Sequence, residues 1–148
     1  MTKKTAPSNQ SDSFEKIPVQ IFSDSKAGSA FVARQIADFI REKQKKKEKC
    51  VLGLATGSTP KSLYAELVRL HREEKLSFKN VITFNLDEYF PIDNHALQSY
   101  SRFMRSHLFD HVDILPKNIH IPNGEINKEN IKEHCRQYEQ MIADAGGI

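Results

Sequence analysis

Cys50-Val51-Leu52-Gly53-Leu54-Ala55-Thr56-Gly57-Ser58-Thr59-Pro60 is the stretch on which the fold turns. Six apolar or small residues in a row, ended abruptly by hydroxyl-bearing residues, read as a short strand buried on both faces, as at the centre of a parallel sheet. Pro60 is well placed as the first residue of a helix, where its missing N–H costs nothing. Behind it Leu63, Tyr64, Leu67, Val68 and His71 recur at helical spacing, and the pattern ends near Glu74. Upstream, Val32, Ile36, Phe39 and Ile40 predict a helix from Lys26 to Gln44, with cap oxygens available on Ser23, Asp24 and Ser25. A short strand from Ile17 to Phe22 is expected before it. Downstream, Val81 to Leu86 reads as a second buried strand ending in Asp87-Glu88, and Tyr100, Phe103, Met104, His107 and Leu108 mark a short helix. The connection from Leu115 to Gly124 holds a short strand around Ile119 to Ile121. Ile131, Cys135, Tyr138 and Ile142 give a last amphipathic helix, closed by Gly146-Gly147.

This alternation of helices with apolar strands predicts an α/β protein: a parallel sheet with helices on both faces. Residues 1–16, with only Phe14 to bury, read as a flexible leader, and residues 17–148 as the folded part. In such sheets ligands bind beyond the carboxyl ends of the strands. That rule selects two segments, the one after Ala55 and the one after Leu86.

Composition excludes several classes. The chain has 148 residues, 39% of them hydrophobic, and no apolar run approaches the roughly 20 residues that span a bilayer. The expectation is a cytoplasmic protein without a membrane partner. Its net charge of +3 has a local origin: between Arg41 and Lys49 six basic residues meet Glu42 and Glu48, a balance of +4, so the remainder sums to −1. Cations suit the end of a helix, whereas a nucleic-acid partner calls for basic residues spread over a face, so none is expected. Cys50 and Cys135 have no metal-type spacing and read as two reduced, buried thiols.

In the first segment, Thr56, Gly57, Ser58 and Thr59 bring hydroxyls and backbone amides to a helix N-terminus, where unpaired N–H groups and the helix dipole favour an anion such as phosphate. Gly57 lets the backbone approach a ligand without a Cβ between them. The same residue types also serve as an ordinary cap and tight turn. The spacing is neither a Walker A loop nor Gly-x-Gly-x-x-Gly. In the second segment, Asp87 and Glu88 point in opposite directions if strand geometry continues, so at most one reaches a common reaction centre. A carboxylate partly desolvated there works as a base near neutral pH; in water it is only a turn or helix cap.

Leu54-Ala55-Thr56-Gly57-Ser58-Thr59-Pro60, Leu76-Ser77-Phe78-Lys79, Thr83-Phe84-Asn85-Leu86-Asp87-Glu88-Tyr89, Ser99-Tyr100 with Phe103-Met104, Leu108 to Ile114 and Cys135-Arg136-Gln137-Tyr138-Glu139 together closely resemble the glucosamine-6-phosphate deaminases. The resemblance runs from about Val19 to the end, in order. The 6-phosphogluconolactonases are similar at the first loop, but typically carry Arg where this chain has Tyr89. The resemblance implies a Rossmann-like fold, here truncated. It also implies a small-molecule sugar phosphate as partner, no metal or organic cofactor, and a homo-oligomer in the full-length form. The implied reaction is aldose–ketose isomerisation of glucosamine 6-phosphate through an enediol-type intermediate, with release of ammonia to give fructose 6-phosphate. Asp87 matches the base that takes the C2 proton, and Glu88 has a supporting role. Thr56, Gly57, Ser58 and Thr59 match the phosphate loop, with Ser58 where many members have a second Gly. Tyr100 either lines the substrate or anchors its helix in the core, and packing is the preferred reading.

The family's ring-opening segment, Asp-Gly-His with a Glu shortly after, does not occur in these 148 residues, nor does its later phosphate-contacting Lys. None of His71, His95, His107, His111, His120 and His134 follows that motif. The expectation is therefore a chain with little or no deaminase activity by itself. The alternatives are a non-catalytic sugar-phosphate binding module, or a 6-phosphogluconolactonase-like hydrolase.

Overall fold

The computed structural model describes residues 18–148; the leader expected at residues 1–16 lies outside them. Helix α1 (Ser25–Lys45) is followed by β1 (Cys50–Leu54), α2 (Lys61–Glu74), β2 (Val81–Asn85), α3 (Tyr100–His107), β3 (Ile119–His120) and α4 (Ile131–Asp144). The three strands pair in the order β1-β2-β3, all parallel. The β1–β2 register sets Cys50 opposite Val81 and Leu54 opposite Asn85. No helix among the described residues is long and apolar enough to cross a membrane.

Cys50, Leu52 and Leu54 alternate onto one face of β1 and meet the face of Val81. Ala33, Ala37 and Ile40 of α1 and Tyr64, Leu67 and Leu70 of α2 cover that face. Met104, Leu108 and Phe109 complete this core. Phe84 points the other way, onto α4: its ring meets Tyr138 edge-on at 5.7 Å and stacks on His120 at 4.6 Å. Helices therefore lie on both faces, as expected.

Several expectations need correction. The strand predicted at Ile17 to Phe22 does not form over its described residues, 18–22. A strand needs a neighbouring ladder, and this stretch has none: Ile21 is 93% exposed, while Phe22 turns back onto Phe31 at 5.2 Å. β1 is covered on one face only, because α4 lies over β2 and β3; Gly53 is exposed, with Ile148 beside it. Pro60 is the cap of α2 rather than its first residue, its carbonyl accepting from the Tyr64 amide at 2.9 Å. β2 stops at Asn85, leaving Leu86 81% exposed. Cys50 is buried, which pushes its thiol up to about 11, but Cys135 is exposed. The inward face of α4 centres on Tyr138, with Ile131, His134 and Ile142 half-buried around it, and Cys135 falls on its rim.

The lysine run closes α1 as expected. Lys46 pairs with Glu42 at 2.6 Å, Lys43 with Glu48 at 2.8 Å, and Lys47 turns the chain in the left-handed region at φ 58°.

The turn between α2 and β2 is held by Asp113. Its carboxylate accepts from the Phe78 amide at 2.5 Å and the Ser77 hydroxyl at 2.8 Å, with His71 Nδ1 at 3.8 Å. Partial burial pushes this carboxyl up, but the Phe78 and Ser77 hydrogen bonds and the nearby His71 together outweigh it, and its pKa lies below the ordinary 3.8. A depressed carboxyl stabilises the fold above its unfolded pKa, and that contribution is lost as pH falls through the folded value. Asp113→Asn is therefore expected to destabilise the protein by about 1–3 kcal/mol at pH 7. The gap from the parent should close below about pH 4. Urea midpoints measured from pH 7 to pH 3 check this; a gap constant with pH would overturn it.

Candidate active site

Two loops leave the carboxyl ends of adjacent strands. Since Leu54 faces Asn85, Thr56 and Asp87 each stand two residues beyond paired strand ends. The sheet register thus brings the two predicted segments side by side.

The first loop is anchored from below. The Tyr64 hydroxyl donates to the Ala55 carbonyl, and the Asn85 amide donates to the Leu54 carbonyl at 3.0 Å. Gly57 adopts φ +100°, a conformation that side chains with a Cβ rarely take, and nothing lies within 4 Å of where a Cβ would stand. Glycine is thus demanded by the backbone, while the space beside it is open. No side chain caps α2: the Lys61 amide makes a long 3.4 Å contact to the Ser58 carbonyl, and the amides of Ser62 and Leu63 have no partner among the described residues. These donors and the helix dipole present a positive end to whatever occupies the loop.

The acidic pair divides, although β2 has ended two residues before Asp87. Glu88 turns toward α3 and accepts from the amides of Tyr89, Tyr100 and Ser101, each at 2.9 Å. The Ser99 hydroxyl accepts from Arg102 N at 3.0 Å, so the first three amides of α3 are all satisfied and that helix end is closed. Asp87 is exposed and makes no hydrogen bond among the described residues. The partial desolvation expected of it is absent, because the chain turns outward after Asn85 with nothing packed over the carboxylate.

Of the two readings open for Tyr100, a core anchor fits the structure less well. It is only half-buried, and its ring packs against Tyr89 at 4.8 Å. Its hydroxyl lies toward Tyr89 and Thr56, between the two loops. The adjacent Tyr89 phenol, partial burial and the negative charge of Asp87 raise its pKa, so the phenol is protonated at neutral pH. Position 100 fits a core stripe by spacing alone; the proximity of Thr56 is a tertiary fact. Asn85 was missed as more than a strand residue. It is 2% exposed, ties β1 to β2 through its amide, and leaves its Oδ1 buried without a partner. Its carbonyl, with that of His120, accepts from the Tyr138 hydroxyl, at 2.8 and 3.0 Å. Thr56, Gly57, Ser58, Thr59 and Asp87 are brought together at the strand ends; Glu88 belongs to the frame behind them.

The profile of the family described as glucosamine-6-phosphate isomerases/6-phosphogluconolactonase matches residues 23–147. The chain belongs to this family. A glucosamine-6-phosphate deaminase-like protein of Bacteroides thetaiotaomicron is 48% identical over 134 residues, covering 90% of this chain and 20% of that protein. The glucosamine-6-phosphate deaminase of Thermoanaerobacter sp. (strain X514) is 44% identical over 117 residues, covering 79% of this chain and 46% of that one. Among solved structures, one described as a monomeric glucosamine-6-phosphate deaminase superposes with a TM-score of 0.77 at 40% identity, covering 84% of this chain and 49% of that one. The 6-phosphogluconolactonase of Thermotoga maritima, at 24% identity and a TM-score of 0.66, shares the fold. The chain therefore spans less than half the length of these deaminase relatives, and its three parallel strands with flanking helices are the Rossmann-like core common to the isomerase and lactonase branches of the family.

Proposed function

We propose that this chain carries the phosphate cradle and the C2 proton base of a glucosamine-6-phosphate deaminase. The observation that carries the reading is the β1–β2 register, which sets the uncapped end of α2 and its loop beside Asp87. The phosphate accepts hydrogen bonds from the Ser62 and Leu63 amides and from the donors of Thr56, Gly57, Ser58 and Thr59. The sugar extends toward the end of β2, where the free carboxylate of Asp87 takes the proton from C2 of the open-chain amino-aldose. A proton is returned at C1 to give the C2 imine, and water adds at C2 so that the ketose forms as the C2–N bond breaks and ammonia leaves. Tyr100 spans the two halves as a neutral hydrogen-bond donor. Glu88, its oxygens engaged by three amides, moves no proton.

Ring opening needs a group these 148 residues do not supply by the family's motif, so the chain is expected to bind glucosamine 6-phosphate without releasing ammonia. Calorimetric titration and an ammonia assay test this together. Gly57→Val, forced into a backbone conformation costing about 1–3 kcal/mol, is expected to weaken binding at least tenfold. Binding that Gly57→Val leaves unchanged would remove the phosphate from this loop. Saturable ammonia release by the parent chain would overturn the division of labour. Hydrolysis of 6-phosphogluconolactone, used as the control substrate, would place the chain with the lactonases.

A further inference from the structure

Lys61, Ala65, Val68 and Arg72 follow one another along a single face of α2. Ser106 and His107, from the end of α3, and His111, from the turn after it, stand across from them, and the two sides enclose a groove of about 330 Å³. No carboxylate lines it. Among the described residues, Arg34, Arg41, Arg69, Arg105 and Arg136 pair with acids, Arg102 binds the His95 carbonyl, and Arg72 pairs with no acid; Lys61, like most of the lysines, pairs with none either. The Lys61 ammonium sits 5.8 Å over the ring of Phe103. His111 is oriented by two contacts: Nε2 lies 2.9 Å from the Ser106 carbonyl, and Nδ1 lies 3.3 Å from Arg72 Nη2. A carbonyl can only accept and a guanidinium can only donate, so Nε2 carries the proton and Nδ1 accepts from Arg72. The other four N–H donors of Arg72 have no partner among the described residues.

The Ser106 hydroxyl donates to the Phe103 carbonyl at 2.9 Å, so the groups left for a ligand are the Lys61 ammonium, the Arg72 guanidinium and the His107 imidazole, around a cavity at the lower end of the small-ligand size range. Lys61 and Arg72 are about 16 Å apart along the helix axis, a separation that two long side chains close onto a ligand with two charged ends better than onto one compact ion. We propose that this groove is an anion site, separate from the loop at Thr56, for a small molecule carrying two phosphoryl groups. One group is held by the free N–H donors of Arg72, which His111 orients, and the other lies toward Lys61.

The probe is inorganic pyrophosphate, titrated into the 148-residue chain at low ionic strength, where exposed charges are least screened. Binding is followed by calorimetry and by the imidazole resonances of His107 and His111. The expected result is a saturable shift of both rings, with affinity at least tenfold lower for Arg72→Ala, intermediate for Arg72→Lys, and at least tenfold lower for inorganic phosphate than for pyrophosphate. Gly57→Val is expected to leave pyrophosphate affinity within twofold, which separates this site from the loop. Arg72 is exposed, and an unchanged melting temperature for its variants keeps the comparison to binding. Shifts that sodium chloride reproduces at matched ionic strength would overturn the proposal. So would binding that Arg72→Ala leaves intact and Gly57→Val abolishes.

Discussion

Asp87→Asn is expected to lower ammonia release by about 10²–10⁴-fold, the usual contribution of a positioned general base, with sugar-phosphate binding changed less than threefold. The measurement needs a chain that turns over. Residues 1–148 joined to the remaining part of the Thermoanaerobacter deaminase, 44% identical over the shared portion, would supply one. The separation of the two effects follows from geometry. Asp87 is exposed and holds no other residue in place among the described residues, so an isosteric amide removes the base and leaves the loop at Thr56 untouched. Glu88→Gln in the same chimera provides the contrast. It keeps one carbonyl acceptor for three amides, so it should loosen α3 and lower the melting temperature while costing far less in turnover than Asp87→Asn. If the two substitutions exchanged these outcomes, the roles assigned here would have to be exchanged as well.

The largest effect on stability is expected at Tyr64. Its side chain is 1% exposed in the core between α1, α2 and β1, and its hydroxyl holds the Ala55 carbonyl at the start of the loop. Burial pushes the phenol up to about 12, so it donates at any pH at which the protein is studied. Tyr64→Ala empties a buried aromatic site and is expected to cost about 3–5 kcal/mol, a large part of the 5–15 kcal/mol typical of a domain. Tyr64→Phe keeps the ring and leaves the carbonyl unsatisfied, for about 1–3 kcal/mol. Urea unfolding at pH 7 separates them through the midpoint at constant slope. Equal losses would mean that the hydrogen bond, and not the ring, dominates.

The extent to which the sequence revealed this arrangement depends on how local each signal is. Helices α1, α2 and α4 follow from apolar spacing within their own segments, and β1 and β2 from short apolar runs; all lie within a residue or two of where those patterns put them. Thr56, Gly57, Ser58, Thr59 and Asp87 were legible because each sits at the end of such a run, where the sheet rule sends ligands. The failures are tertiary. A strand at Ile17 to Phe22 has the right residues, but the ladder it would need is not provided by the described residues. Cys135 has helical spacing, yet lies a few tens of degrees off the face that Tyr138 defines. Glu88 reads as a supporting residue, but what it supports, the amides 12 and 13 residues further on, is not legible in the sequence. Tyr100 reads as core until Thr56 stands beside it.

Glu88 has a last consequence for the field at the site. Two adjacent carboxylates beside a phosphate dianion would place like charges in close company, each pair opposing the other by several kcal/mol at the dielectric of a protein surface. The three amides and the α3 dipole gather the Glu88 charge into the frame. On the reading proposed above, an approaching sugar phosphate would meet Asp87 with the Glu88 charge partly offset, set against the positive end of α2. If Asp87 is the base of the proposed reaction, it can then stand near the reacting carbon with less repulsion of the phosphate than two free carboxylates would cause.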